Sequence, residues 1–177
     1  GYAQSSYNLN AFGYQAAKNT TGAGNAAFGT QALLTNSTGA SNSAFGEIAL
    51  YSNTTGSNNT AVAKGSLQSN TTASGNTAVG YAAGYSNTTG ASNSAFGLYS
   101  LYNLSSGTDN TGLGKQALVG TTSGSFNTAL GSQALISNTT ASNNTAIGYQ
   151  TGYLNTTGTI TAAGAYALYY NSTGTNN

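Results

Sequence analysis

The sequence predicts an all-β fold, a parallel β-solenoid (β-roll) of about ten seventeen-residue coils, and three observations carry that expectation. An apolar-glycine element recurs at Gly13, Gly29, Gly46, Gly80, Gly97, Gly114, Gly131, Gly148 and Gly164, with Ala63 in its place once. Successive gaps are 16, then seven of 17, then 16. Gly and β-branched Thr interrupt every stretch that would otherwise make a helix, and no apolar stripe of helical spacing outlasts one repeat. No Asn-Gly pair signals a tight hairpin. Identical short strands at fixed spacing, without hairpin turns, stack in parallel with one coil over the next.

The unit reads Asn-Thr/Ser-Ala-Φ-Gly-x-x-Ala-Leu-Tyr-x-Asn-Thr-Thr-Gly-x-x, where Φ is apolar, and residues 1–177 form one repeat segment without recognisable caps. Its strands are Thr-Ala-Φ and x-Ala-Leu-Tyr, with Asn-Thr-Thr approaching a further corner. At a strand spacing of about 4.8 Å, ten coils rise about 48 Å.

Position 1 is Asn in eight coils, Asn25 to Asn144, and position 12 is Asn at Asn36, Asn53, Asn70, Asn87, Asn138, Asn155 and Asn171. Stacked coils bring identical amides within hydrogen-bonding reach, as in the Asn ladders of cross-β assemblies. Asn is equally a good turn residue, and both readings stand.

Two columns are large and apolar almost throughout and are expected to form the inward rows of a narrow core. Position 4 holds Phe12, Phe28, Phe45, Val62, Val79, Phe96, Leu113, Leu130 and Ile147, ending in Ala163. Position 9 holds Leu33, Leu50, Leu67, Leu101, Leu118, Leu135 and Leu168, with Ala17, Gly84 and Gly152 as exceptions. Strand alternation then turns the Ala columns at positions 3 and 8 outward, toward a second copy of the chain. Constraint inside a tight corner is the competing reading for those alanines. Position 10 is rich in Tyr (Tyr51, Tyr85, Tyr102, Tyr153 and Tyr169), which suits a half-buried row whose hydroxyls reach water. Glycines at positions 5 and 15 serve tight or left-handed backbone.

Composition bears on chemistry. Only 3% of residues are charged, namely Lys18, Lys64, Lys115, Glu47 and Asp109, and His, Cys, Met, Pro and Trp do not occur. General acid–base catalysis needs a group titrating near the working pH, and metal sites need clustered ligands. The chain is therefore expected not to be an enzyme and to need no cofactor or metal. A net charge of +1 provides no footprint for nucleic acid, and no apolar run approaches the ~20 residues of a membrane span.

The element Asn-Ser/Thr-Ala-Φ-Gly resembles the head repeats of trimeric autotransporter adhesins of the YadA type. The longer unit, as in NTAIGYQTGYLNTTG and NSAFGEIALYSNTTG, is similar to repeats of phage tail fibres and large repetitive surface proteins. The adhesin repeat is typically nearer fourteen residues. The resemblance implies a parallel β-roll, a homotrimer with roll axes along a fibre, and binding to host or matrix surfaces.

The expected function is a structural segment of an extracellular, cell-surface or virion-surface fibre, a stalk or adhesive shaft. Its partner is the chain itself, as a homo-oligomer such as a trimer, or as a self-assembling filament stacked end to end. Binding of surface glycans or a host receptor through the Tyr rows, and of ice through Thr-rich faces, are alternatives. Asn-x-Ser/Thr triplets in the position 12 column make Asn36, Asn53, Asn70, Asn87, Asn138, Asn155 and Asn171 candidate glycosylation sites in a secreted context.

One coil breaks the pattern, NTAVAKGSLQSNTTASG. Ala63 replaces the position 5 glycine, and the bend is expected to shift to Gly65. Lys64 lies seventeen residues after Glu47 in the same column, where the two are expected to pair.

Overall fold

A computed structural model describes residues 2–4, 8–174 and 177 of the chain. Among them there is no helix, and eleven strands form one sheet in sequence order. Strand β1 (Tyr2–Gln4) pairs antiparallel with β2 (Leu9–Phe12), so a reversed strand covers the first edge of the sheet. The sequence shows no sign of that cover.

From β2 onward every pairing is parallel. The strands are β3 (Ala26–Phe28), β4 (Ser43–Phe45), β5 (Thr60–Val62), β6 (Thr77–Val79), β7 (Ser94–Phe96), β8 (Thr111–Leu113), β9 (Thr128–Leu130), β10 (Thr145–Ile147) and β11 (Thr161–Ala163). Register is one repeat per coil, with Ala44 opposite Ala61 and Ala61 opposite Ala78. The ten parallel strands make a β-solenoid with a step of about seventeen residues.

Only three residues per coil are strand, yet backbone bonding between coils continues around the turn. In the third coil Ser43, Leu50, Ser52 and Thr54 donate to Asn59, Ser66, Gln68 and Thr71 of the fourth, at 2.8–3.0 Å. Gly46 and Ile48 donate the other way, to Phe28 and Thr30, at 2.8 and 2.9 Å. Backbone groups that would be costly if left unpaired in so thin a structure are thereby met by the adjacent coil.

The core overturns one sequence expectation. Position 9 faces inward, and Leu33, Leu50, Leu67, Leu101, Leu118 and Leu135 are buried, while Leu168 in the last coil is exposed. Position 4 faces outward. Phe12, Phe28, Phe45, Phe96, Leu113 and Ile147 are 38–68% exposed, and Val62, Val79 and Leu130 are half-buried. Ala163 is exposed as well. The inward partner of that alternation is position 3, where Ala27, Ala44, Ala61, Ala78, Ala129 and Ala146 are 0% exposed.

The reason is space. Where Gly112 takes the position of Ala, an added Cβ would already lie 2.6 Å from Ser100 Oγ. Ser100 stands at position 8, where most coils have Ala, so the two inward columns share one small space, and here the larger residue in one goes with the smaller in the other. The alanines at position 8, including Ala32, Ala49, Ala83, Ala117 and Ala134, are equally buried. The alanine columns thus close the core of one chain and form no outward seam between chains.

Backbone conformation also explains two exceptions in the Leu column. Position 9 adopts positive φ in every coil, from 48° at Ala17 and Leu67 to 54° at Leu33 and Leu118 among the non-glycine residues. Gly84 and Gly152 stand there at 61° and 63°, in the conformation that glycine adopts without steric cost. Their missing side chains are replaced by neighbours: a Cβ on Gly152 would meet Ile160 Cδ1 at 2.5 Å, and one on Gly84 would meet Leu67 Cδ2 at 2.9 Å.

Ala63 corrects a second expectation. Its φ is +102°, against +117° to +142° for the position 5 glycines, so it keeps their turn and no shift to Gly65 occurs. Gly65 occupies position 7, which has positive φ throughout, as at Gln31, Ile48, Gln116 and Gln133.

Candidate functional site

The inward polar columns are structural. Each position 1 Asn accepts, at Oδ1, the backbone N–H of the same position one coil on: Asn42 to Asn25 at 2.9 Å, Asn59 to Asn42 and Asn76 to Asn59 at 3.0 Å. From Asn25 to Asn127 its Nδ2 donates to the position 15 carbonyl, as Asn42 to Gly56 at 2.8 Å and Asn76 to Gly90 at 2.9 Å, whereas Asn144 Nδ2 donates to Asn127 Oδ1 at 2.9 Å. Ladder and turn are therefore the same residues performing both tasks.

At position 12, Asn53 donates to Asn36 Oδ1 and Asn70 to Asn53 Oδ1, both at 2.7 Å. Each also holds the carbonyl three residues on, Asn53 that of Gly56 at 2.9 Å and Asn70 that of Ala73 at 3.0 Å. Leu104 and Thr121 interrupt this ladder. Beyond the gap Asn138 Oδ1 is buried and meets no donor among the described residues.

This burial corrects the reading of the sequons. Asn36, Asn53, Asn70, Asn87, Asn138 and Asn155 are 0–1% exposed with their amide nitrogens engaged, so a glycan on any of them would have to displace the core. Asn171 is half-buried in the last coil and still reaches Asn155 Oδ1 at 3.4 Å.

The surfaces open to a partner are the outward columns. Along the sheet the exposed position 4 row runs beside a half-buried hydroxyl row made by Ser43, Thr60, Thr77, Ser94, Thr111, Thr128 and Thr145. Neither row carries a charge. Phe28 and Phe45 stack in it with centroids 5.0 Å apart and planes within 2°.

Around the next corner lie the tyrosines. Tyr85 and Tyr102 stack at 5.0 Å in column 10, Tyr99 meets Tyr102 edge-to-face at 5.3 Å, and Tyr81 meets Tyr99 edge-to-face at 5.5 Å. Tyr153, Tyr169, Tyr166 and Tyr149 occupy the same columns four coils on, with separations of 4.8, 6.0 and 5.3 Å in the same order. Burial pushes the Tyr169 phenol up, and nearby Tyr153 adds to the effect, so this ring stays neutral at physiological pH. Columns 6 and 7 carry no tyrosine signal in the repeat consensus, which is why the clusters escape a column-by-column reading.

Lys64 and Glu47 pair at 3.0 Å on neighbouring coils, both half exposed, as their shared column requires. The hydrogen bond and charge of Glu47 raise the Lys64 pKa above its ordinary value. Among the described residues no three of His, Cys, Asp or Glu lie together, so none of these side chains is grouped to hold a metal. Comparison with known proteins finds no matching family model, curated sequence or solved structure.

Proposed function

We propose that the chain is a non-catalytic structural segment of an extracellular or virion-surface fibre, whose copies associate side by side through the position 4 row. The observation that carries this reading is the outward row itself. Large apolar side chains from Phe12 to Ile147 line one face of a regular parallel sheet without a charge among them. Contiguous exposed apolar surface of this kind marks an interaction surface, and a straight repeating row is complementary to another copy of itself. The side-by-side association expected of the alanine columns thus moves to position 4. Stiffness comes from backbone and amide bonding that every coil shares with the next.

Sedimentation velocity and negative-stain imaging test it. Elongated oligomers are expected from the natural chain and monomers from Phe45→Glu/Phe96→Glu. A stable folded monomer of the natural chain at micromolar concentration overturns the side-by-side association.

A further inference from the structure

We infer that the two tyrosine quartets are stacking stations for a neutral, linear, β-linked glycan. The first is Tyr81, Tyr99, Tyr102 and Tyr85, and the second is Tyr149, Tyr166, Tyr169 and Tyr153. The inference does not depend on the fibre assembly proposed above.

The shape of each station comes first. In the first quartet a stacked pair, Tyr85 on Tyr102, forms the base, and Tyr99 stands nearly perpendicular to it with an interplanar angle of 85°. Tyr81 is turned 85° again from Tyr99. In the second quartet Tyr153 and Tyr169 stack within 7°, Tyr166 tilts 49° from Tyr169 and Tyr149 stands 89° from Tyr166. Tyr81 is 47% exposed and its counterpart Tyr149 45%, leaving ring surface free in both stations. Pyranose rings offer a face of C–H groups rimmed by hydroxyls. Tyrosine offers a flat apolar face with a hydroxyl at its edge, a large rigid contact at low conformational cost.

The residue choice points the same way. The chain has 5 Phe and 13 Tyr. Phe12, Phe28, Phe45 and Phe96 stand in column 4 and Phe126 in column 17, whereas all eight quartet rings are Tyr. Packing alone is served by either residue, but hydrogen bonding at the rim of a sugar is served by Tyr only.

Charge excludes the other flat ligands. Bases stack on tyrosine too, but single-stranded nucleic acid requires a positively charged groove along its backbone. Column 6 holds two cations, Lys64 one coil before Tyr81 and paired to Glu47, and Lys115 midway between Tyr81 and Tyr149. With Glu47 the column carries a net charge of +1 and forms no positively charged groove. The neighbourhood is close to neutral, which suits an uncharged sugar.

The repetition identifies a polymer as the ligand. The quartets occupy the same three columns four coils apart, about 19 Å at the inter-strand spacing. A β-1,4-linked chain, which is extended and straight where an α-1,4-linked one coils, can lie along the axis and engage both. A second, linked contact strengthens binding by about 10²–10⁴ when the spacing allows it.

The test uses the whole chain with cellotriose and soluble hydroxyethyl cellulose, and with tri-N-acetylchitotriose and soluble glycol chitin, followed by tyrosine fluorescence and affinity electrophoresis. A trisaccharide is too short to span the two stations, and weak binding of at least one trisaccharide is expected. So is binding of the corresponding polymer at least tenfold tighter, falling to the trisaccharide level in Tyr81→Ala and in Tyr149→Ala. Tyr81→Phe, which keeps the ring and its packing, should retain stacking and lose only a few-fold. Circular dichroism of each variant identifies any that misfold, and Tyr81→Phe keeps the comparison valid if Tyr81→Ala does. No binding of any of the four at millimolar sugar overturns the inference. So does binding unchanged in a folded Tyr81→Ala/Tyr149→Ala double variant, or tighter binding of a three-residue oligothymidylate than of either trisaccharide.

Discussion

Asn53 Nδ2 lies 2.7 Å from Asn36 Oδ1, seventeen residues earlier, and 2.9 Å from the carbonyl of Gly56 in its own coil. One buried side chain thus ties two coils together and holds its own corner. Asn53→Ala leaves Asn36 Oδ1 without its donor, while the Gly56 carbonyl keeps Asn42 Nδ2 and Asn70 Nδ2 keeps the Ala73 carbonyl. An unmet buried polar group costs about 1–3 kcal/mol, so a loss of about that size is expected in urea denaturation. Asn171→Ala, in the half-buried last coil, should lose less. Equal losses would contradict the ladder.

The corrected core makes two substitutions change rank. Ala61 is fully buried, and Ala61→Leu forces a branched side chain into space that admits a methyl, at about 1–3 kcal/mol or more. Phe45→Ala removes an exposed ring that stacks on Phe28, a contact worth about 0.5–1.5 kcal/mol. Thermal melts at concentrations where the chain is monomeric should place Ala61→Leu far below Phe45→Ala. The reverse order would restore position 4 to the core.

Leu50 is buried in column 9 at φ +51°. Leu50→Ala keeps the backbone and empties the site, so a loss of about 2–5 kcal/mol is expected. Chemical denaturation of the two proteins side by side measures it.

Ala63→Gly should stabilise the chain. A non-glycine residue at φ +102° carries steric strain of about 1–2 kcal/mol, partly offset by the greater freedom of glycine in the unfolded chain. A net gain of up to about 1 kcal/mol in the same denaturation experiment is expected. The converse change, Gly29→Ala, should destabilise, because its Cβ would lie 2.5 Å from the Gly46 carbonyl oxygen.

The Lys64–Glu47 pair is exposed to solvent and screened by it. Its raised Lys64 pKa means that any stabilisation is present below the ordinary lysine range and disappears as pH rises through the folded-state value. Glu47→Gln should leave the melting temperature unchanged within error at neutral pH, because the adjoining backbone bond from Gly65 to the Glu47 carbonyl, at 3.0 Å, maintains the register.

Period, parallel stacking and the amide ladders were legible because each depends on recurrence, which a single sequence displays in full. The facing of positions 3 and 4 was misread because size was taken as a sign of burial. A one-residue change of facing inverts a whole strand, and the sequence does contain the evidence to choose. Position 4 ranges from Ala163 to Phe45, a spread only open space accommodates, while position 3 is Ala in nine coils and Gly112 in one. Uniform smallness is the mark of a steric limit. The tyrosine quartets were not legible, since Tyr99 and Tyr81 belong to different columns and meet only because adjacent coils overlap at a corner. The antiparallel β1 lies outside the repeat, where periodicity has nothing to say.

The Asn columns have an electrical consequence. In the position 1 series every backbone N–H points back toward the amide oxygen of the coil before it, from Asn42 to Asn25 through to Asn144 to Asn127. The Nδ2 donors of Asn53 and Asn70 point the same way. Bond dipoles that repeat in one sense along a line add rather than cancel, as they do along a helix. Backbone bonds between coils run both ways, as from Ser43 to Asn59 and from Gly46 to Phe28, so the one-way sense belongs to the amide columns. Each of those columns has unlike ends, an acceptor facing one way and a donor the other, so the two ends of the solenoid present different groups to whatever stacks on them.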